Sequence, residues 1–241
     1  MNLERLKTTE HIIAYIDILG GKKLIQEDRL DDNLNKVNEI YTCAKNFLAS
    51  TQSASVCDVK IKIFSDNILL TLTPETNSEK DKDLSIYNFF ALLAFLQMKA
   101  LERNIFIRGG ITVGDICINE TFSWGNGLLR AIELEEKYAF YPRIIIDTNA
   151  LEIFKTITER NPYTFFTMQE FDGWASIDYL RVFGVEQLTT INNNIYFVNS
   201  EIVKNNKNPN IIAKLIWQLN YLNGFLACTL PNNTNTPSTL L

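Results

Sequence analysis

Two aspartates stand where acidic side chains can do phosphate chemistry. Asp17 lies at the end of the apolar run "AYIDILGGKK" (14–23), and Asp66 lies in the polar "SDN" between the arms of "VKIKIFSDNILLTLT" (59–73). The first run is rich in isoleucine, too short for a buried helix and stopped by Gly20-Gly21, which predicts a central strand over 11–19. The second predicts a tight hairpin with Asp66 at its tip. If these strands pair, both carboxylates meet at one end of a sheet, beside glycines whose backbone N–H groups can approach phosphate oxygens. Such carboxylates are hard oxygen ligands suited to Mg²⁺ or Mn²⁺ carrying a triphosphate. Taken singly, each aspartate also has a plainer reading as a turn former.

Other reactive groups are sparse. His11 is the sole imidazole, which argues against Ser-His and Cys-His hydrolase chemistry. Cys43, Cys57, Cys117 and Cys228 are scattered without a CxxC pair, so neither a zinc site nor a disulfide framework is expected. A net charge of -5 with no Lys/Arg block argues against a nucleic-acid partner. The apolar run "FFALLAFL" (89–96) is far short of the roughly 20 residues of a membrane span. No membrane partner is expected, and the polar N-terminus, without the features of a secretory signal, leads to a cytoplasmic expectation.

The elements that must position the aspartates follow from periodicity. Apolar residues recur at three and four from Asp32 to Ala49, an amphipathic helix. After a charged linker, "PETNSEKDKD", a long apolar helix is expected over 83–103, then a glycine-interrupted strand pair over 105–118. A helix over 125–140, the strand 143–147 and a short helix capped near Asp147 or Thr148 follow. This order predicts an α+β sandwich: a mostly antiparallel sheet with helices on one face. The last third is expected to hold strands and a loop in "FTMQEFDGWASIDYL", a short element at "IYFVNSEIV", a helix over 210–226 and a frayed tail. With no internal repeat, the economical division is a catalytic domain over 1–185 and a C-terminal helical extension, 186–241, packed on the same domain.

Four segments, "YIDILGGK", "KIFSDNILL", "IRGGITVGDI" and "WGNGLLRAIELEEKYAFYPRIIID", occur in the order found in class III nucleotidyl cyclases, and the stretch 11–148 resembles that family. There, the first metal aspartate sits in F-x-D-I-x-G-F and the second in K-x-x-G-D. An R-x-G-I-x-x-G strand then precedes a W-G-x-x-V-N-x-A-x-R-L helix. The resemblance implies that Asp17 and Asp66 are the metal aspartates, the Ile18 carbonyl a further metal ligand, and Gly20 and Gly21 the phosphate-binding turn. Lys62 falls on the position that reads the base and Phe122, two before Trp124, on its partner, and the resemblance implies that Phe122 and Trp124 join Lys62 in binding the substrate. Leu129 replaces the asparagine that orients the ribose, and Glu133 the arginine that stabilises the transition state. Arg130, three residues before Glu133, is the first candidate substitute. Arg108 is the second, with an alternative role as partner of a buried carboxylate.

The A-x-E-L-E run, "YPRIIID", "IDILG" and "RGGI" look most like the bacterial pyrimidine cyclases of the Pycsar anti-phage system. That resemblance implies a homodimer with sites between subunits, a ribonucleoside triphosphate substrate, Mn²⁺ or Mg²⁺, and cyclic UMP or cyclic CMP as the signal. Lys62 can donate to O4 of uracil but meets the N4 donor of cytosine poorly, which favours UTP over CTP. The same lysine also suits an adenine-reading site. The two departures leave open a non-catalytic module that binds a nucleotide or a partner.

Overall fold

The computed structural model describes residues 5–52, 58–73, 78–160, 167–183 and 187–229. In chain order the first elements are β1 (Thr9–Ile18), α1 (Gly21–Gln26), α2 (Asp32–Gln52), β2 (Val59–Phe64), β3 (Asn67–Leu72), α3 (Glu79–Glu102) and β4 (Ile107–Ile118). Next come β5 (Ser123–Trp124), α4 (Asn126–Glu133) with a π-helical turn over Leu134–Tyr138, β6 (Ile144–Ile146) and α5 (Thr148–Arg160). The chain continues through β7 (Thr167–Gln169), β8 (Ala175–Ile177), α6 (Tyr179–Phe183), α7 (Leu188–Lys204) and α8 (Pro209–Thr229).

The sheet runs β2-β3-β1-β4-β6-β8-β7, with β5 paired to β4. Among the described residues only β4 and β6 pair in parallel; the other pairs are antiparallel. The expected α+β class and mostly antiparallel sheet are therefore present. β1 is central, as its isoleucine content predicts, with β3 on one side and β4 on the other.

Residues alternate between the faces of a strand, so the register assigns each side chain a side. Ile12, Ala14, Ile16 and Ile18 join Ile68, Leu70 and Leu72 in the main core under α2, α3 and α5. Phe90 of α3 stacks on Phe154 of α5 at 4.3 Å, and Phe47 of α2 on Phe95 of α3 at 4.9 Å. Ile13, Leu69 and Ile116 lie on the other face beneath Ala131 of α4. The thick helical layer thus occupies one face, and α4 with its π turn adds a partial cover on the second.

Several local expectations change. The glycines of 105–118 do not divide a strand pair: β4 is one strand. They admit close neighbours instead, since a Cβ on Gly110 would stand 2.3 Å from the Leu134 Cβ, where α4 crosses the sheet. The part of the charged linker that is described, from Ser78 on, starts α3, with Ser78 Oγ accepting from Asp81 N at 3.4 Å. The short element at "IYFVNSEIV" belongs to the 17-residue α7. At 24 residues, α3 is long and apolar enough to cross a membrane by length and composition, but it is mostly buried within the fold as the core helix. The frayed tail and Cys57 lie outside the described residues.

The C-terminal helices pack on the sheet's helical layer. Asn194 of α7 donates to the Leu101 carbonyl at 2.6 Å, and Gln218 of α8 to Tyr179 Oη at 2.9 Å. Tyr221 of α8 donates to Asp178 at 2.8 Å and accepts from Leu180 N at 3.0 Å.

Candidate active site

Asp17 is opposite Asn67 on β3 and opposite Arg108 on β4, at the end of the sheet where the β2–β3 turn closes. The turn's Asp66 carbonyl accepts from Ile18 N at 3.2 Å, so the two acidic residues are fixed at one edge by backbone pairing. Ser65 takes a positive φ of 55° in that turn. Gly20 follows β1 in the left-handed region at φ 76°, and Gly21 opens α1. A Cβ on Gly21 would fall 2.1 Å from Asp66 Oδ2, so only glycine lets the turn lie against that carboxylate. Asp17, Ile18, Gly20, Gly21 and Asp66 therefore lie together at one end of the sheet.

Arg108 holds this corner together. Its Nε donates to Asp17 Oδ2 at 3.3 Å, its Nη1 donates to the carbonyls of Glu135 at 3.3 Å and Ala139 at 3.4 Å, and its Nη2 lies 2.5 Å from Glu135 Oε1. Of the two roles open to Arg108 in the sequence, the structure displays the partner of buried carboxylates. Glu135 is only 3% exposed, although the acidic run 133–136 reads as a solvated helix face. Gly127, Ala131, Leu134 and Glu135 recur at the spacing of one helical stripe, so Glu135 lies on the buried face that α4 turns to the sheet.

The electrostatics of this corner are those of crowded acids. Burial raises the Asp17 carboxyl above its usual range; Arg108 pulls it down and the Asp66 charge pushes it up again. Burial likewise pushes Glu135 up to about 7, against the pull of Arg108 and with the help of Asp17. A divalent cation between Asp17 and Asp66 would relieve this repulsion. The donor set fits such an ion, being all oxygen with no thiol or imidazole. Among the described residues no group of three or more His, Cys, Asp or Glu side chains could hold a metal ion, so an ion at Asp17 and Asp66 would take its other ligands from phosphate and water.

The other expected residues are distributed differently. Lys62 on β2 pairs with Leu69, itself opposite Tyr15, which puts it on the Asp17 face. Phe122 and Trp124 stand at the opposite end of β4 from Arg108, where Trp124 pairs with Cys117. Arg130 is engaged within its own chain: Nε and Nη2 donate to the two oxygens of Asp147 at 2.8 and 3.1 Å, and Nη1 to Glu133 at 3.0 Å. Asp147 lies at the far end of β6, whose other end is level with Gly109. Within one chain, Asp147 thus holds Arg130 beside Thr112, midway along β4 and four residues from Arg108.

Two residues at this corner escape sequence reasoning. Glu135 stands on the buried stripe of its helix but belongs to an acidic run. Lys214, on α8, carries its Nζ 5.0 Å from the Phe140 ring, beside the Ala139 carbonyl that Arg108 holds. Its sequence signal is faint: a lysine flanking the apolar stripe at Leu215.

No family model matches the chain, and no curated protein does. Among solved structures it is similar to the adenylyl cyclase CyaB from P. aeruginosa, at 14% identity and TM-score 0.45, over 73% of this chain and 94% of that one. The non-canonical dimeric guanylyl cyclase domain of the RhoGC fusion protein from the aquatic fungus Blastocladiella emersonii is 12% identical at TM-score 0.49, over 71% of this chain and 96% of that one. The guanylate cyclase domain of RhGC from Catenaria anguillulae, solved in complex with GTP, is 13% identical at TM-score 0.47, over 71% and 96%. These likenesses are distant, and the chemistry has to come from the chain's own residues.

Proposed function

We propose that the protein is a metal-dependent nucleotide cyclase acting on UTP, forming 3′,5′-cyclic UMP and pyrophosphate as a signal in anti-phage defence. The observation that carries the reading is the backbone-fixed meeting of Asp17 and Asp66 at one sheet end, with Gly21 pressed against the Asp66 carboxylate. Asp17, Asp66 and the Ile18 carbonyl would hold Mg²⁺ or Mn²⁺, which supplies polarisation of the phosphate oxygens and a lowered pKa at the ribose 3′-hydroxyl. Gly20 and Gly21 present backbone N–H groups to the phosphates. Arg108 and Glu135 orient Asp17. The 3′-oxygen attacks the α-phosphorus, the bond from that phosphorus to the bridging oxygen breaks, pyrophosphate leaves with the electron pair, and the hydroxyl proton passes to solvent.

The defence role rests on the sequence resemblance to pyrimidine cyclases, and the choice of uracil on Lys62. A homodimer with sites shared between subunits rests on the same resemblance. It is supported also by apolar exposure along the 122–129 segment, where Trp124 is 74% and Leu129 65% exposed. A partner's Arg130, released from Asp147, would then face the α-phosphate.

A second reading, a non-catalytic nucleotide-binding module, is favoured by Leu129, Glu133 and the internal engagement of Arg130. Incubation with each of the four ribonucleoside triphosphates and Mn²⁺, with products identified by mass spectrometry, separates the readings. Cyclic UMP supports the proposal, and cyclic CMP, AMP or GMP corrects the base. Nucleotide binding without product supports the module.

A further inference from the structure

Helix α8 brings a cation to the carboxylate end of the sheet. Lys214 reaches over Phe140, and Trp217, about one turn further on, stacks against Tyr141 with ring centroids 5.9 Å apart and planes 17° from parallel. Trp217 stacks in turn on Tyr221 at 5.4 Å, so α8 is pinned to the 140–141 segment by aromatic contact. That segment directly follows Ala139, whose carbonyl receives Arg108. Asp17, Glu135 and Arg108 all act electrostatically on the Lys214 ammonium.

Lys214 is half-buried, and among the described residues no carboxylate lies within ion-pair distance of it. Burial lowers its pKa and the neighbouring Arg108 lowers it further, while Asp17 and Glu135 oppose them. Holding an ammonium partly out of water without a paired anion is unfavourable. For packing on Phe140 alone, leucine or methionine would serve without that penalty. Arg108 is already engaged by Asp17, Glu135 and two carbonyls, and Arg130 by Asp147 and Glu133. A half-buried cation beside the metal-binding carboxylates, with an aromatic ring as its neighbour, is suited to receive an anion.

We propose that Lys214 binds the β- and γ-phosphates of the triphosphate substrate in the chain that supplies Asp17 and Asp66, which makes α8 part of the active site. The identity of the anion as a nucleotide's triphosphate rests on the cyclase reading; the anion site itself does not. The C-terminal helices then have a functional reason to dock: they complete the charge of the phosphate pocket.

The test uses the full chain and inorganic tripolyphosphate with Mn²⁺, measured by isothermal titration calorimetry. Lys214→Gln is expected to weaken binding about tenfold or more, while Lys214→Arg stays within about threefold of the wild type, the loss of one charge-assisted contact. Equal affinity in the wild type and Lys214→Gln overturns the proposal, as does a wild type that does not bind tripolyphosphate. Circular dichroism checks that Lys214→Gln is folded; if it is not, Lys214→Met replaces it, keeping the apolar stem on Phe140. Failure to cyclise any nucleotide, with the tripolyphosphate result intact, would remove the cyclase reading and leave Lys214 as an anion-binding residue.

Discussion

At the residue scale the decisive feature is contact between groups that ordinarily repel or exclude one another. Gly21 touches the Asp66 carboxylate so closely that a methyl group there would stand 2.1 Å from Oδ2. Gly21→Ala is therefore expected to displace Asp66 and lower Mn²⁺-dependent turnover about a hundredfold, the effect of an ångström-scale misplacement. Its thermal unfolding midpoint should move far less than its activity, and equal activity in the two proteins would show that Asp66 is not needed where it lies. Both aspartates were legible in the sequence because a strand end and a hairpin tip are local features. Glu135 was not, because a glutamate in an acidic run reads as one more solvated charge, although it shares the buried stripe of Ala131 and Leu134. Lys214 was not, because nothing local to "NIIAKLIWQL" states which surface the helix will meet.

At the element scale, α4 owes its position to small residues beneath it. Gly110→Ala would place a Cβ 2.3 Å from that of Leu134, and the helix can accommodate it only by lifting off β4. The expected loss is about 1–3 kcal/mol, the usual range for overpacking, read by urea unfolding; an unchanged midpoint would contradict this close approach. One turn before Leu134, Arg130 ties the same helix to Asp147. Burial tends to raise the Asp147 carboxyl, but hydrogen bonds from Arg130 and Thr112 outweigh it and hold the group below its ordinary value of 3.8. The stability this gives is present above that value and is lost as the pH falls through the lowered folded one. Asp147→Asn should therefore flatten the acid limb of the stability profile below about pH 4, and superimposable limbs would argue against the ion pair. The strand reading of 105–118 went astray at this scale: glycines that look like breaks are sites of helix-on-sheet contact, and only the packing of α4 distinguishes the two.

At the scale of the whole molecule, one chain keeps its candidate arginines engaged with its own carboxylates. Asp17 lies level with Arg108 at one end of β4, while Arg130 is held by Asp147 beside Thr112, midway along that strand. The α+β class and the order of its elements were readable from periodicity. That a C-terminal extension packs on the domain was an expectation too, but the surface it meets was not, since that depends on contacts such as Asn194 with Leu101 and Trp217 with Tyr141. If two chains share their sites, a mixture of Asp17→Ala and Arg130→Ala proteins should form heterodimers with one intact site each. Random exchange would restore about a quarter of wild-type activity from two inactive parents. No restoration, with exchange demonstrated, would place Arg130 in the site of its own chain or outside catalysis.

The most direct measurement is turnover of UTP with Mn²⁺ by the wild type, Asp17→Ala and Asp66→Ala, all three checked for folding, with the product identified by mass. The account predicts cyclic UMP and pyrophosphate in equal amounts from the wild type and none above background from either variant. Undiminished turnover in either folded variant would contradict the assignment of these two carboxylates as the metal site.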